Sequence, residues 1–130
     1  MARILVIDDS AENRQLFDYV LRHFGHETFL AANGEEGIAA ALREHPDLAI
    51  IDLVMPGMRG EEVARRLRAV PELAGMRLLA VSVGLDAGRV PELDAGRVPE
   101  GDFDGWYPLP LDPETLARDI EAYLSSVPPA

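Results

Sequence analysis

The chain contains no cysteine, no lysine and no long hydrophobic run. Without cysteine it can form neither disulfide bonds nor thiolate metal sites, and this composition is typical of a protein of the reducing cytoplasm. No apolar run approaches the roughly 20 residues that a helix needs to cross a bilayer, so we expect no membrane association. A strand-like segment already begins at Arg3, and we therefore expect no signal peptide.

Positive charge is scarce. All 12 basic residues are arginine, and against 23 acidic residues they leave a net charge of -11. A surface of this charge repels nucleic-acid phosphates, so we expect no nucleic-acid partner. The 130 residues suffice for one domain, and an apolar fraction of 48% is typical of a soluble globular protein.

Short apolar segments, interpreted as buried strands, alternate with amphipathic segments along the chain. The expected strands are Arg3–Ile7, Glu27–Ala31, Asp47–Asp52, Arg77–Ser82 and Phe103–Tyr107. This alternation predicts an α/β fold with a doubly wound parallel sheet of five strands and helices on both faces.

Helix signals fill the gaps between these strands. Ser10 caps a first helix that places Leu16, Tyr19, Val20 and His23 or Phe24 on one face. Asn33 and Glu36 form a capping box for a second helix. A third is expected over Gly60 to Ala69, and Asp112-Pro113-Glu114 opens the last helix, which ends near Leu124.

Acidic residues follow two of the strands at the edge where parallel sheets bind ligands. Asp8 and Asp9 follow the first strand, Asp52 ends the third, and Ser82 ends the fourth. Carboxylates about 4 Å apart repel by about 4 kcal/mol at an effective dielectric of 20, so we expect Mg²⁺ to neutralise the three. A carboxylate beside Mg²⁺ can act as a nucleophile towards a phosphoryl group, and a hydroxyl can donate to a phosphoryl oxygen.

The segments ILVIDDS, DLAIIDLVMPG, LLAVS and DGWYPLP resemble, in this order, the receiver domains of two-component response regulators. The resemblance implies a flavodoxin-like sheet of strand order 2-1-3-4-5. It implies a receiver domain over residues 1–125 and a short tail at 126–130.

The same resemblance implies the roles of the site residues. Asp52 is similar to the phosphoacceptor, and Ser82 and Trp106 are similar to the two residues that switch on activation. The implied Mg²⁺ ligands are Asp8, Asp9, Asp52 and the backbone carbonyl of Val54.

Leu109-Pro110 departs from the family, in which the fifth strand ends in Lys-Pro and the lysine reaches into the acidic pocket. Losing one fixed donor at a site of developing charge costs on the order of 3 kcal/mol, or about a hundredfold in rate. Arg89 or Arg97 could supply a replacement cation. We expect the Leu109–Pro110 bond to be cis, as it is in the family.

Residues 85–100 are a tandem repeat of the eight-residue sequence LDAGRVPE. They stand where the family has its fourth helix, but their glycines and prolines disfavour a helix, since an interior proline costs about 3 kcal/mol. We expect a mobile, irregular insertion in place of that helix. Its apolar residues Leu85, Val90, Leu93 and Val98 would pack against the sheet. A role as a partner surface is the alternative.

Three functions remain open. The first is a stand-alone receiver, not an enzyme, which accepts a phosphoryl group from a sensor histidine kinase or phosphotransfer protein and signals by contact with a downstream protein. The second is a receiver-like module that works without phosphorylation, which the missing lysine and the altered fourth helix favour. The third is a Mg²⁺-dependent phosphohydrolase of the haloacid-dehalogenase kind, which needs a second aspartate where this chain has Val54.

Overall fold

The computed structural model describes residues 1–85, 89–90, 97–98 and 101–125. Its five parallel strands are β1 (Arg3–Ile7), β2 (Glu27–Ala31), β3 (Leu48–Asp52), β4 (Arg77–Val83) and β5 (Gly105–Leu109). The α-helices are α1 (Ala11–His23), α2 (Gly34–Glu44), α3 (Gly60–Arg68) and α4 (Pro113–Ser125), with a short 3₁₀ helix at Pro71–Leu73. The strand order is β2-β1-β3-β4-β5, which confirms the expected topology.

The predicted capping residues begin the first two helices. The Ser10 side chain accepts a hydrogen bond from the backbone N–H of Asn13, at 3.2 Å. The Asn33 side chain accepts one from the backbone N–H of Glu36, at 2.9 Å. Each cap satisfies a backbone donor that the first turn of a helix leaves without a partner, which fixes where the helix begins.

The sheet is buried on both faces, and β1 shows how the two cores divide. Ile4 and Val6 pack with α1 and α4, whereas Leu5 and Ile7 pack with α2 and α3. All five residues of β3 are buried. Strands that are covered on both faces consist almost entirely of apolar residues. This is why β1 and β3 could be recognised from the sequence.

The predicted apolar face of α1 was right at Val20 and wrong at its other positions. Phe17, Val20 and Leu21 are buried, whereas Leu16 is 44% exposed and Tyr19 is 73% exposed. Two apolar stripes run along this helix, displaced from each other by one residue, and both fit a helical period. Only the position of the helix on the sheet decides between them.

The predicted fifth strand was placed two residues too early. Phe103 is buried but precedes β5, whose register with β4 begins at the pair Leu79 and Gly105. Asp104 holds the chain in a loop at this point, because its carboxylate accepts hydrogen bonds from the backbone N–H of Leu78 and from Arg68, both at 2.7 Å. The peptide bond that follows β5, Leu109–Pro110, is cis as expected.

Within the repeat, the structure describes Leu85 and the two pairs 89–90 and 97–98, so the expected absence of a regular helix there stays a prediction. Val90 and Val98 occupy the same place in the two copies of the repeat, and both are buried in the core that contains Phe103. Leu85 is buried there as well, so three of the four expected anchors are confirmed. Leu93 and most of the segment expected to be mobile lie outside the described residues.

Both valines of the repeat are expected to stabilise the fold. Val98→Ala should lower the free energy of unfolding by about 2 kcal/mol, through lost burial and the cavity left behind. Val90→Ala should cost about as much, whereas Arg89→Ala, at an exposed position, should be nearly neutral. Urea titrations measure all three, and a neutral Val98→Ala beside a costly Val90→Ala would show that the second copy is a passive insertion.

Candidate functional site

Neighbouring strands bring the predicted acidic residues together. Ile7 pairs with Ile51 in the register of β1 and β3, so Asp8 and Asp52 follow side by side at the carboxyl edge of the sheet. Asp8, Asp9 and Asp52 each place one carboxylate oxygen such that the three oxygens lie within 4.8 Å of one another. The predicted cluster of three carboxylates is therefore present.

The loop after Asp52 is held by close packing of α3. A Cβ atom on Gly60 would lie 2.3 Å from the carbonyl oxygen of Asp52, closer than any side chain allows. The backbone N–H of Gly60 donates to the carbonyl of Leu53, and the N–H of Leu53 donates to the carbonyl of Val81 on β4. The first residue of α3 must therefore be glycine if the helix is to sit this close to the end of β3.

Asp8 is fully buried, and the first turn of α1 holds both oxygens of its carboxylate. The backbone N–H of Ser10 donates to Oδ1 at 2.8 Å, and the side-chain amide of Asn13 donates to Oδ2 at 3.4 Å. Arg14 donates to the backbone carbonyl of Asp8 at 2.7 Å. Burial raises the pKa of Asp8, against these hydrogen bonds to its carboxylate, which favour the ionised form.

Asp52 is 9% exposed and accepts a hydrogen bond at Oδ1 from the backbone N–H of Val54, at 3.1 Å. Burial, and next the negative charge of Asp8, raise the pKa of Asp52 to about 8. The cluster therefore retains a proton near neutral pH. Asp9 is exposed and lies at the solvent side of the cluster, where an ion can enter.

The donor set fits a hard divalent cation. Three carboxylates supply only oxygen ligands, which Mg²⁺ prefers, and the exposed position of Asp9 leaves room for the water ligands that Mg²⁺ keeps. The pKa of Asp52 is raised first by burial and then by repulsion from the negative charge of Asp8. A bound cation would relieve that repulsion.

Ser82 and Trp106 occupy the two strands beyond Asp52. Ser82 is 4% exposed and follows Val81, the residue of β4 that pairs with Asp52. The bond from its hydroxyl to the carbonyl of Val83 is long, at 3.4 Å. Trp106 pairs with Ala80 and is 42% exposed.

Leu109 forms an apolar wall at the end of β5. Leu109 pairs with Val83 and borders a cavity of about 220 Å³. The other lining residues are Asn13, Leu16, Phe17, Val83, Pro110 and Leu111. Arg89 and Arg97, considered above as replacement cations, are exposed. That replacement stays a prediction.

Sequence reasoning missed Asn13 and Arg14, although both contact Asp8. Each lies about one helical turn after the Ser10 cap, so the cap was the sequence feature that could have indicated their contact with Asp8. A residue three or four positions after an N-cap faces the strand end that precedes the helix.

The family model for the response regulator receiver domain matches residues 4–93. The chain belongs to this family. Over 125 residues it is 32% identical to Protein PilH of Pseudomonas aeruginosa, covering 96% of the chain and 99% of PilH. Alignments with four further relatives cover 33% to 56% of those proteins.

Solved receiver structures share the fold. The chemotaxis protein CheY4 of Vibrio cholerae superposes with a TM-score of 0.82 and 29% identity, over 95% of this receiver domain and 98% of CheY4. The receiver domain of the sensor histidine kinase PA1611 of P. aeruginosa gives 0.83 with 20% identity, over 96% and 98% of the two chains. The family match favours the receiver interpretation over the phosphohydrolase. None of the helices in the described part is long and apolar enough to span a membrane.

Proposed function

We propose that this receiver domain accepts a phosphoryl group on Asp52 in a Mg²⁺-dependent reaction. The observation that carries the proposal is the cluster of three carboxylates within 4.8 Å, built around a buried Asp52. Asp8, Asp9, Asp52 and the backbone carbonyl of Val54 would hold the ion. The PA1611 receiver domain, which has the same fold, was crystallised with magnesium in its active site cleft, and this supports the assignment.

The phosphoryl donor is a phosphohistidine of a sensor histidine kinase or a phosphotransfer protein. A carboxylate oxygen of Asp52 attacks phosphorus, the O–P bond forms as the P–N bond breaks, and the departing imidazole nitrogen takes up a proton. Bound Mg²⁺ offsets negative charge on the phosphoryl oxygens. The hydroxyl of Ser82, held only by a long bond, can turn to donate to one of those oxygens.

The phosphorylated domain signals by contact with a downstream protein. PilH and CheY4 are each covered almost completely by the alignment, at 99% and 98%, which supports a receiver of the same type as these two proteins. Trp106 lies exposed on β5, three residues before the end of that strand, and is the proposed switch residue together with Ser82.

A second candidate is a receiver-like module that binds its partner without phosphorylation. One observation favours it: the apolar wall that Leu109 forms at the end of β5. The intact carboxylate cluster favours the first candidate, because three close carboxylates are costly to maintain without a cation.

Mass spectrometry after incubation with Mg²⁺ and acetyl phosphate tests the proposal. Wild-type protein should gain the mass of one phosphoryl group on Asp52, and Asp52→Asn should gain none. Asp47→Asn, a matched change at the opposite end of β3, should be labelled like the wild type. A wild type that is never labelled would instead support the second candidate.

A further inference from the structure

Asn13 lies between the acidic cluster and the apolar cavity beside Leu109. Its amide nitrogen is 3.4 Å from Oδ2 of Asp8, and its side chain lines the cavity on the other side. The remaining lining residues of that cavity are leucine, phenylalanine, valine and proline. Asn13 is therefore the one polar side chain on this wall of the described structure.

A closed set of hydrogen bonds connects Asn13 to Asp8. The Ser10 hydroxyl oxygen accepts from the backbone N–H of Asn13 at 3.2 Å, and the Ser10 N–H donates to Oδ1 of Asp8 at 2.8 Å. The Asn13 amide then reaches Oδ2 of the same carboxylate. Residues of one helical turn thus contact both oxygens, by a short bond at Oδ1 and a long one at Oδ2, and together they orient the plane of the carboxylate.

We propose that Asn13 is a positioning residue. It lies between the Leu109 cavity and the acidic cluster, and it sets the orientation in which the Asp8 carboxylate binds the metal. This inference rests on the proposed function, since it concerns the ligand geometry of that same site. Without the amide, the bond from the Ser10 N–H would be the one described hydrogen bond from α1 and its cap to this carboxylate, beside the carboxylate's contact with Asp52, and the Oδ2 side would be free to turn. Groups that orient a metal ligand in this way change metal affinity by about 10- to 100-fold when removed.

The chemistry of this wall explains why a neutral donor suits it. Among the described residues that line the cavity, Asn13 on α1 supplies the polar side chain and the others are apolar. An amide can bond to Asp8 without adding charge to a wall that is otherwise apolar. A residue that served only to continue α1 would not need to be polar at this position, because the other residues that line the cavity are hydrophobic.

Calorimetric titration with Mg²⁺ at about pH 8 tests the inference without requiring phosphorylation. Asn13→Leu keeps the side-chain volume but removes the donor, and it should raise the Kd for Mg²⁺ about tenfold. Asn13→Ala should do the same, so the test does not depend on how leucine packs. Asn13→Gln keeps an amide and should recover part of the affinity. Gln15→Leu, an exposed polar residue of the same helix, is the matched control and should bind like the wild type.

Labelling by acetyl phosphate separates this inference from the proposed function. If the wild type is labelled and the Asn13 variants bind Mg²⁺ within twofold of it, the positioning role is refuted while the proposed function stands. If the wild type is not labelled but Asn13→Leu and Asn13→Ala weaken Mg²⁺ binding as expected, the positioning role stands and the phosphoacceptor proposal fails. Equal weakening by Gln15→Leu would also refute the role, because the effect would then come from the helix as a whole.

Discussion

Mg²⁺ binding is expected to tighten about fiftyfold between pH 6 and pH 8, because one proton must leave the cluster before the ion can bind. The pKa of Asp52 is raised to about 8 in the metal-free protein by burial and by the charge of Asp8. Below that pH the ion competes with the proton, and affinity falls about tenfold for each pH unit. Above it the carboxylate is already ionised and the dependence disappears.

Calorimetry in two buffers of different ionisation enthalpy measures both the affinity and the number of protons released. Wild-type protein should release close to one proton per ion at about pH 7. Asp52→Asn should bind weakly and release fewer, since Asp8 is then the main carboxylate in the cluster with a raised pKa. An affinity that is flat from pH 6 to pH 8 would contradict the assignment of the proton to Asp52.

The same pKa also predicts how the stability of the metal-free protein depends on pH. The carboxyl group of Asp52 has its ordinary pKa of 3.8 in the unfolded chain and a pKa of about 8 in the folded state. Between these two values the folded protein holds a proton that the unfolded chain has lost, so this group makes stability fall as pH rises. Asp52→Asn should remove much of that slope in urea titrations at about pH 5 and pH 8. A slope unchanged by the substitution would assign it to other groups.

Leu109→Lys is expected to speed phosphorylation from acetyl phosphate by about a hundredfold, since it restores a fixed cation at a site of developing charge. Leu109 ends β5 beside the cavity of about 220 Å³, so the aliphatic stem of a lysine has apolar surface to lie against. The ammonium group would extend towards the carboxylates. Its charge should also lower the pKa of Asp52, and the pH dependence of Mg²⁺ binding should weaken with it.

The fluorescence of Trp106 reports this reaction, because it is the single tryptophan of the chain. It lies on β5 three residues before Leu109 and is 42% exposed, so a movement of the strand end should alter its emission. Leu109→Met, similar in size and uncharged, is the matched control and should react like the wild type. If Leu109→Lys labels no faster than Leu109→Met, a cation at this position does not reach the phosphoryl group.

The positions of the first four strands, to within one residue, and those of the acidic residues could be predicted from the sequence alone. Strands buried on both faces must be apolar throughout, so β1 and β3 were recognisable without knowledge of their neighbours. Helix caps are equally local, because Ser10 and Asn33 satisfy backbone donors of their own first turns. Once a parallel sheet was expected, Asp8 and Asp52 had to lie at the same edge, since each one follows or ends a strand.

Tertiary structure decided the features that depend on which surfaces meet. The buried stripe of α1 is Phe17, Val20 and Leu21, and the sequence offered an equally periodic stripe that includes the exposed Tyr19. Val98 was expected from the sequence to anchor the repeat, but only the fold shows that it shares one core with Val90 and Phe103. Asn13 gave no signal of its own, because its contact with Asp8 exists only when α1 lies against the end of β1. Local sequence specifies backbone hydrogen bonds and period, whereas the choice of partner for each side chain is made by packing between elements distant in the chain.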